Sequence, residues 1–256
     1  MTDGFALGLD ATLNVPGLPQ SATGQTALLT GINAAAVLGR HLNGFPNPTL
    51  REIIFEHSIL KKISEKGLRA AFLNTFRPPF FDFDPMQIVA HLSATSVANL
   101  AAGLPFFNLQ DLIEGRSVYQ DITGESLREK GFDVPLLAPE EAGRIIGNAS
   151  QSYHFSLFEY FQTDKAGHAQ DLNHAVKILH QLEEFVEAVL ATIDLRRTLI
   201  ILTSDHGNIE DLAWRGHTRN PAMTLLFGAG AEAAARSLHS ILDVYPLILS
   251  IFSAQD

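Results

Sequence analysis

Residues 198–203, TLIILT, form an unbroken run of apolar and β-branched side chains. A strand with one wet face alternates apolar and polar residues. A run without alternation has to be buried on both faces, the condition of a parallel strand inside a helix-covered sheet. This run favours an α/β fold over a helical bundle or an open meander. FSLFEYF (155–161) and AMTLLFG (222–228) read as further buried strands, and LRAAFLNTF (68–76) fits another. Leu172, Val176, Leu179, Leu182, Phe185, Val186, Val189 and Ile193 recur at spacings of three and four, which predicts a long helix between two of these strands. Helices are also expected from about Thr23, over 48–67 with a stop at Gly67, and in SILDVYPLILSIF, where Pro246 is expected to interrupt it. TDKAGHAQD reads as a turn. The pattern predicts an α/β three-layer sandwich with a mostly parallel central sheet. Residues 1–81 and 151–256 would form the core. Residues 82–150, with short helical patterns and weak strand signals, would be an inserted cap or lid.

Composition narrows the chemistry. The chain has 256 residues and no Cys, which excludes a disulfide framework, a thiolate metal site and a thiol nucleophile. A formal charge of −10 opposes nucleic-acid binding, which needs a basic face. No apolar run is long enough to span a bilayer. MTDGFALGLD has no basic segment followed by a long apolar stretch, so no signal peptide is expected and a cytoplasmic location is the default.

The clearest chemical signal is Asp205-His206 in SDHGN, directly after the 198–203 run, at the strand end where α/β proteins build ligand sites. Asp164 and His168 stand four apart after the 155–161 run, so on one turn of helix both would face one side. His217 lies in GHTRNP, just before the 222–228 run. Carboxylate and imidazole donors thus gather at successive strand ends. Five mixed oxygen and nitrogen ligands suit Zn²⁺ or Mn²⁺ better than Ca²⁺ or Mg²⁺. They exceed what one tetrahedral ion needs, which points to two divalent ions clamping a phosphoryl group. Ser21, at the start of a helical pattern, is then the candidate nucleophile, with helix-end amides adding positive potential. The plainer readings are a capped turn at SDHGN and an N-cap at Ser21. Lys165, Arg215 and Arg219 adjoin these ligands and could pair with a substrate anion. FGAGAEAAAR imitates a dinucleotide fingerprint, but too little chain follows it for the rest of that unit.

The set SATGQTALLTG, DKAGH, TSDHGN and HTRNP resembles the alkaline phosphatase superfamily, and within it the metalloenzyme branch that holds the cofactor-independent phosphoglycerate mutases. The resemblance covers about 17–31 and 155–252. It implies an alkaline-phosphatase-like fold, with Asp164, His168 and His217 holding one ion while Asp205, His206 and Ser21 touch the other. Members of that family usually begin with an apolar strand ending in Asp-Gly, whose Asp joins the second ion. Here Asp3-Gly4 stands only 18 residues before Ser21 with no apolar run ahead of it, and Asp10 reads as part of the loop leading to Ser21. GFALGL, short and carrying two Gly, is a poor substitute. The first strand and its ligand are therefore expected to be missing, as in a truncated or degenerate member.

The function expected from these residues is a metal-dependent phosphatase or phosphomutase-like enzyme, acting on a small phosphate ester through a phosphoserine at Ser21. The alternatives are a non-catalytic metal-binding or regulatory protein on the same fold, and a sulfatase- or phosphodiesterase-type hydrolase.

Overall fold

The computed structural model describes residues 4–253. In chain order the elements are β1 (Gly4–Leu9), α1 (Ser21–Thr30), α2 (Ala34–Leu38), α3 (Pro48–His57), α4 (Ile59–Glu65), β2 (Ala70–Phe72), α5 (Pro78–Phe81), α6 (Ala94–Ala101), α7 (Leu109–Ile113), α8 (Glu125–Glu129), α9 (Pro139–Ser150), β3 (Phe155–Leu157), α10 (Gln162–Ala169), α11 (Leu172–Thr192), β4 (Leu199–Thr203), β5 (Ala222–Gly228), α12 (Ala231–Ser237) and α13 (Val244–Ile251). The α/β class expected from the sequence is observed.

The strand pairing departs from the expected parallel sheet. Among the described residues, β1, β5 and β4 form one antiparallel sheet in that order, and β2 and β3 form a separate parallel pair. β4 pairs on one side only, and all five of its residues are half-buried rather than buried. An unbroken apolar run records the demand for burial but not the direction of the neighbouring strand. GFALGL does form a strand, with Leu9 opposite Ala222 and Gly4 opposite Phe227. Its glycines admit close neighbours: a Cβ on Gly4 would strike the Phe227 ring, and one on Gly8 would lie 2.7 Å from Pro221. Asp3 lies outside the described residues. Asp10 is occupied by a turn, where its carboxylate accepts from the amides of Thr12 and Leu13.

Several expected elements are shorter or divided. The 48–67 helix breaks at Ser58, whose extended backbone ends α3 and whose hydroxyl caps α4 and donates to the Ala98 carbonyl. The 68–76 and 155–161 strands contract to the three-residue β2 and β3. TDKAGHAQD is largely the helix α10 rather than a turn. Pro246 does not interrupt α13, because the helix starts at Val244 and the proline falls in the first turn, where its missing N–H has no intrahelical acceptor. The buried stripe of α11 is Ala175, Ile178, Phe185 and Ala188, whereas Leu172, Val176 and Leu179 are exposed. Small residues decide this: Gly143 and Gly147 of α9 sit against Phe185, Ala188 and Thr192, too close for any side chain in their place.

The 82–150 segment is woven into the core. Leu92, Ala94, Val97 and Ala98 share one buried cluster with Leu29, Ile54, Ile63 and Phe72. Through this cluster α6 packs against α1, α3 and α4. The 204–221 segment joining β4 to β5 lies against α1 at Gly24 and against α10 at Gly167, whose missing side chains leave room for Asp205 and Asn208.

Candidate metal and phosphoryl-transfer site

Asp164 and His168 lie one turn apart on α10, and His217 comes to them from the β4–β5 connection. Asp164 Oδ1 is 3.4 Å from His168 Nε2 and 3.4 Å from His217 Nε2. One donor atom from each residue falls within 4.8 Å of the others, a spacing that one cation can bridge. The ring orientations are set from behind. His217 Nδ1 lies 2.9 Å from the Pro19 carbonyl, and His168 Nδ1 lies 2.6 Å from the Arg215 carbonyl. A carbonyl can only accept, so each Nδ1 carries a proton; in the neutral ring each Nε2 turns a lone pair toward Asp164, and in the protonated ring it turns an N–H there instead. Asp164 Oδ1 is buried and makes no aligned hydrogen bond. Lone pairs converging on a carboxylate repel one another unless a proton or a cation sits among them, so these residues fit a divalent ion.

The charges respond accordingly. Burial pushes the Asp164 carboxyl up, but the 3.4 Å contact with His217 and the attraction of His206, His168 and His217 in their protonated forms outweigh this and hold it below the ordinary carboxylate value. Burial pushes His217 down, and Asp164, the Pro19 carbonyl and Asp205 more than offset it, leaving the imidazole above its ordinary value.

A second group adjoins the first. The His206 and His217 rings stack with centroids 3.6 Å apart, and both residues are buried. His206 Nε2 lies 3.6 Å from Asp205 Oδ1 and 3.1 Å from Ser21 Oγ. Asp205 Oδ2 is buried without a partner. Ser21 is the first residue of α1, and Gln20 holds the cap position. Its hydroxyl therefore faces His206 instead of capping the helix, which separates it from the plainer N-cap reading. No acidic side chain sits in the first turn of α1 to cancel its positive end. This group provides one carboxylate, one imidazole and one hydroxyl, a leaner set than Asp164, His168 and His217. Gly24, one turn into α1, lets that helix approach the Asp205 backbone.

The five expected ligands and Ser21 are thus neighbours. Of the expected anion-binding residues, Lys165 follows Asp164 on α10 and is exposed, and Arg219 is exposed and donates through Nε to the Gly17 carbonyl. Arg215 contributes its carbonyl, to His168.

Two acids not singled out by sequence lie beside the site. Glu159 accepts from Thr95 Oγ1, and its backbone exchanges two hydrogen bonds with the Asn74 side chain. Burial and, secondarily, the Asp205 charge push its carboxyl up to about 8, against a smaller downward pull from Thr95. It is the one charged residue in FSLFEYF, and an acid inside a buried run was the available signal. Glu210, four positions after His206, spans the β4–β5 connection. Its Oε1 accepts from Thr218 Oγ1 at 2.5 Å and Asn220 Nδ2 at 3.0 Å, and its Oε2 accepts from the Asn208 amide at 2.6 Å.

The family model described as Metalloenzyme superfamily matches residues 95–256. The 2,3-bisphosphoglycerate-independent phosphoglycerate mutase of Antithamnion sp. is 30% identical over 137 residues, covering 48% of this chain and 26% of that protein. The protein of the same name from Desulforudis audaxviator is 30% identical over 125 residues, covering 45% of this chain and 25% of its own length. The chain thus spans about a quarter of the length of these relatives. The alkaline phosphatase from the Antarctic bacterium TAB5 superposes with a TM-score of 0.56 at 15% identity, over 100% of this chain and 90% of that one, a likeness of fold. Among the described residues no helix is long and apolar enough to cross a membrane.

Proposed function

The chain belongs to the metalloenzyme superfamily, and on that premise we propose that its site performs metal-dependent phosphoryl transfer on a small phosphate ester, with Ser21 as the nucleophile. The observation that carries this reading is the 3.1 Å contact between Ser21 Oγ and His206 Nε2, beside two imidazoles whose Nε2 atoms converge on Asp164. Asp164, His168 and His217 would hold one divalent cation, and Asp205, His206 and Ser21 would touch a second, with Mn²⁺ and Zn²⁺ the ions that suit these donors. Bound cations there supply positive charge for the phosphoryl oxygens and favour the ionised serine.

The chain's own residues then do the following. Ser21 Oγ, exposed to the positive end of α1, attacks phosphorus. Ser21 gives up its hydroxyl proton to solvent, the Oγ–P bond forms as the bond from phosphorus to the ester oxygen breaks, and the departing oxygen takes a proton back from solvent. Lys165 and Arg219, both exposed, attract the anionic substrate. Transfer of the phosphoryl group from Ser21 to water gives a phosphatase, and transfer to a second hydroxyl of the same substrate gives a mutase. The 82–150 segment, whose α6 packs against α1, would cover the site and choose the substrate.

Trapping tests this directly. The chain is incubated with Mn²⁺ or Zn²⁺ and an aryl phosphate, quenched in acid and mapped by mass spectrometry. A gain of one phosphoryl group on the Ser21 peptide is expected. An unmodified Ser21 during turnover would rule out the covalent step. A non-catalytic metal-binding role is the second reading. The lean donor set around Asp205 favours it, and tight loading at Asp164 with no turnover of any phosphate ester would identify it.

A further inference from the structure

Each half of the site takes one histidine from one connection, at opposite ends of it. His206 leaves β4 and His217 approaches β5, eleven residues later. Their rings nevertheless stack at 3.6 Å, so something must hold the two ends of this connection in register. The backbone does part of this: Gly207 and Thr218 form an isolated antiparallel bridge, with the Thr218 amide donating to the Gly207 carbonyl at 3.0 Å. His168 and Gln170 reach the Arg215 and Leu212 carbonyls, which anchors the middle of the connection to α10 and its end but does not tie its two ends to each other.

We propose that Glu210 is the positioning residue of the ligand pair, a carboxylate clamp that fixes His206 against His217 without touching either ring. One of its oxygens takes the Asn208 amide, two residues after His206. The other takes the Thr218 hydroxyl and the Asn220 amide, one and three residues after His217. All three partners donate, and no cationic side chain is paired with Glu210 among the described residues. Its charge is therefore used entirely in gathering donors from both ends of the connection. The space is matched to it: a Cβ on Gly207 would lie 2.7 Å from Glu210 Oε1 and would collide with Thr218 Oγ1. Gln is not equivalent to Glu here, because its NH₂ would face another donor on one side or the other. Glu210 thus stands to His206 and His217 as an outer-shell partner that sets where two ligands meet.

This deepens the metal-dependent reading and rests on it, but part of its test needs no metal. The chain's ten histidines are isotope-labelled, and the His206–His217 inter-ring cross-peak is recorded by NMR in chelated protein. Mn²⁺ and Zn²⁺ are then titrated separately into wild type, Glu210→Gln, Thr218→Val and Thr218→Ser. Glu210→Gln and Thr218→Val are expected to lose the cross-peak and to weaken cation binding by about 10–100-fold. Thr218→Ser, which keeps the hydroxyl, should retain both. Thr218→Val changes no charge and almost no volume, so it answers the question should Glu210→Gln fail to fold. A cross-peak and affinities unchanged in both variants would overturn the clamp. A wild type whose cross-peak depends on Glu210 but which binds neither ion would leave the clamp standing and overturn the metal-dependent reading instead.

Discussion

Gly24 and Asp205 meet backbone to backbone: a Cβ on Gly24 would stand 2.5 Å from the Asp205 carbonyl oxygen and 3.1 Å from its Cβ. This contact sets how near α1, and with it Ser21, comes to the Asp205-His206 pair. Gly24→Ala would gain up to about 1 kcal/mol in helix propensity and lose roughly 1–3 kcal/mol to overpacking. The expected result is a small loss of stability with a larger loss of phosphatase activity, because α1 can move away only by carrying Ser21 from His206. Thermal melts and aryl phosphate kinetics on the same samples check this. Unchanged kinetics would show that the approach is not needed.

Ser21→Ala is expected to separate function from stability in the other direction. The hydroxyl does not cap α1, so its removal should change unfolding free energy by no more than about 0.5 kcal/mol. Turnover of an aryl phosphate should fall on the order of 10³-fold or more, as when a nucleophile is removed. Urea unfolding and initial rates measure the two quantities. A variant retaining a tenth of wild-type rate would assign the nucleophile elsewhere.

Cation loading should be stepwise. Asp164, His168 and His217 present three converging donors, whereas the neighbouring position has one carboxylate, one imidazole and a hydroxyl. Calorimetric titration with Mn²⁺ is expected to show a tight step lost in His168→Ala and a weaker one lost in Asp205→Asn. Affinity of the tight step should rise with pH, because the cation displaces the proton that His217 holds more firmly than an ordinary imidazole. A pH-independent tight step would contradict the assignment of His217.

Stability of the chelated protein should carry the signature of Glu159. Its carboxyl is pushed up to about 8 from the ordinary 4.5, first by burial and then by Asp205, so the folded chain keeps a proton that the unfolded chain has released. Between those two values the native state binds more protons, and stability contributed by this group falls as pH rises. The Asp164–His217 contact runs differently. The depressed Asp164 contributes above the ordinary carboxylate pKa, and this is lost as pH falls through its lowered value. The raised His217 contributes below the ordinary imidazole pKa, and this is lost as pH rises through its raised value. Glu159→Gln should therefore be more stable than wild type by a margin that widens from pH 5 to pH 8. Parallel denaturation profiles over that range would remove Glu159 from the site's electrostatics.

The candidate ligands were legible because the signal for each is local. Asp164 and His168 are four apart, Asp205 and His206 are adjacent, and each pair follows an apolar run, so their types and spacings could be read without knowing the fold. Ser21 was legible as the start of a helix but not as a hydroxyl free of capping, since that depends on Gln20 taking the cap position. Glu210 and the carbonyls behind His168 and His217 were not legible. A carbonyl carries no sequence signal, and an acid in a loop resembles any solvated charge until its partners are known. The parallel sheet was misjudged for a related reason: β4 encodes burial, while its antiparallel partner β5 and its free edge are matters of long-range pairing.

By itself the sequence determined which side chains can donate to a cation and that an α/β scaffold carries them, because these follow from residue type and short-range periodicity. Only the tertiary structure decided that Ser21 meets His206, that Pro19 and Arg215 orient the two imidazoles, and that Glu210 joins the ends of one connection. Those are contacts across up to 198 positions, set by how helices and strands pack rather than by any local preference of the chain.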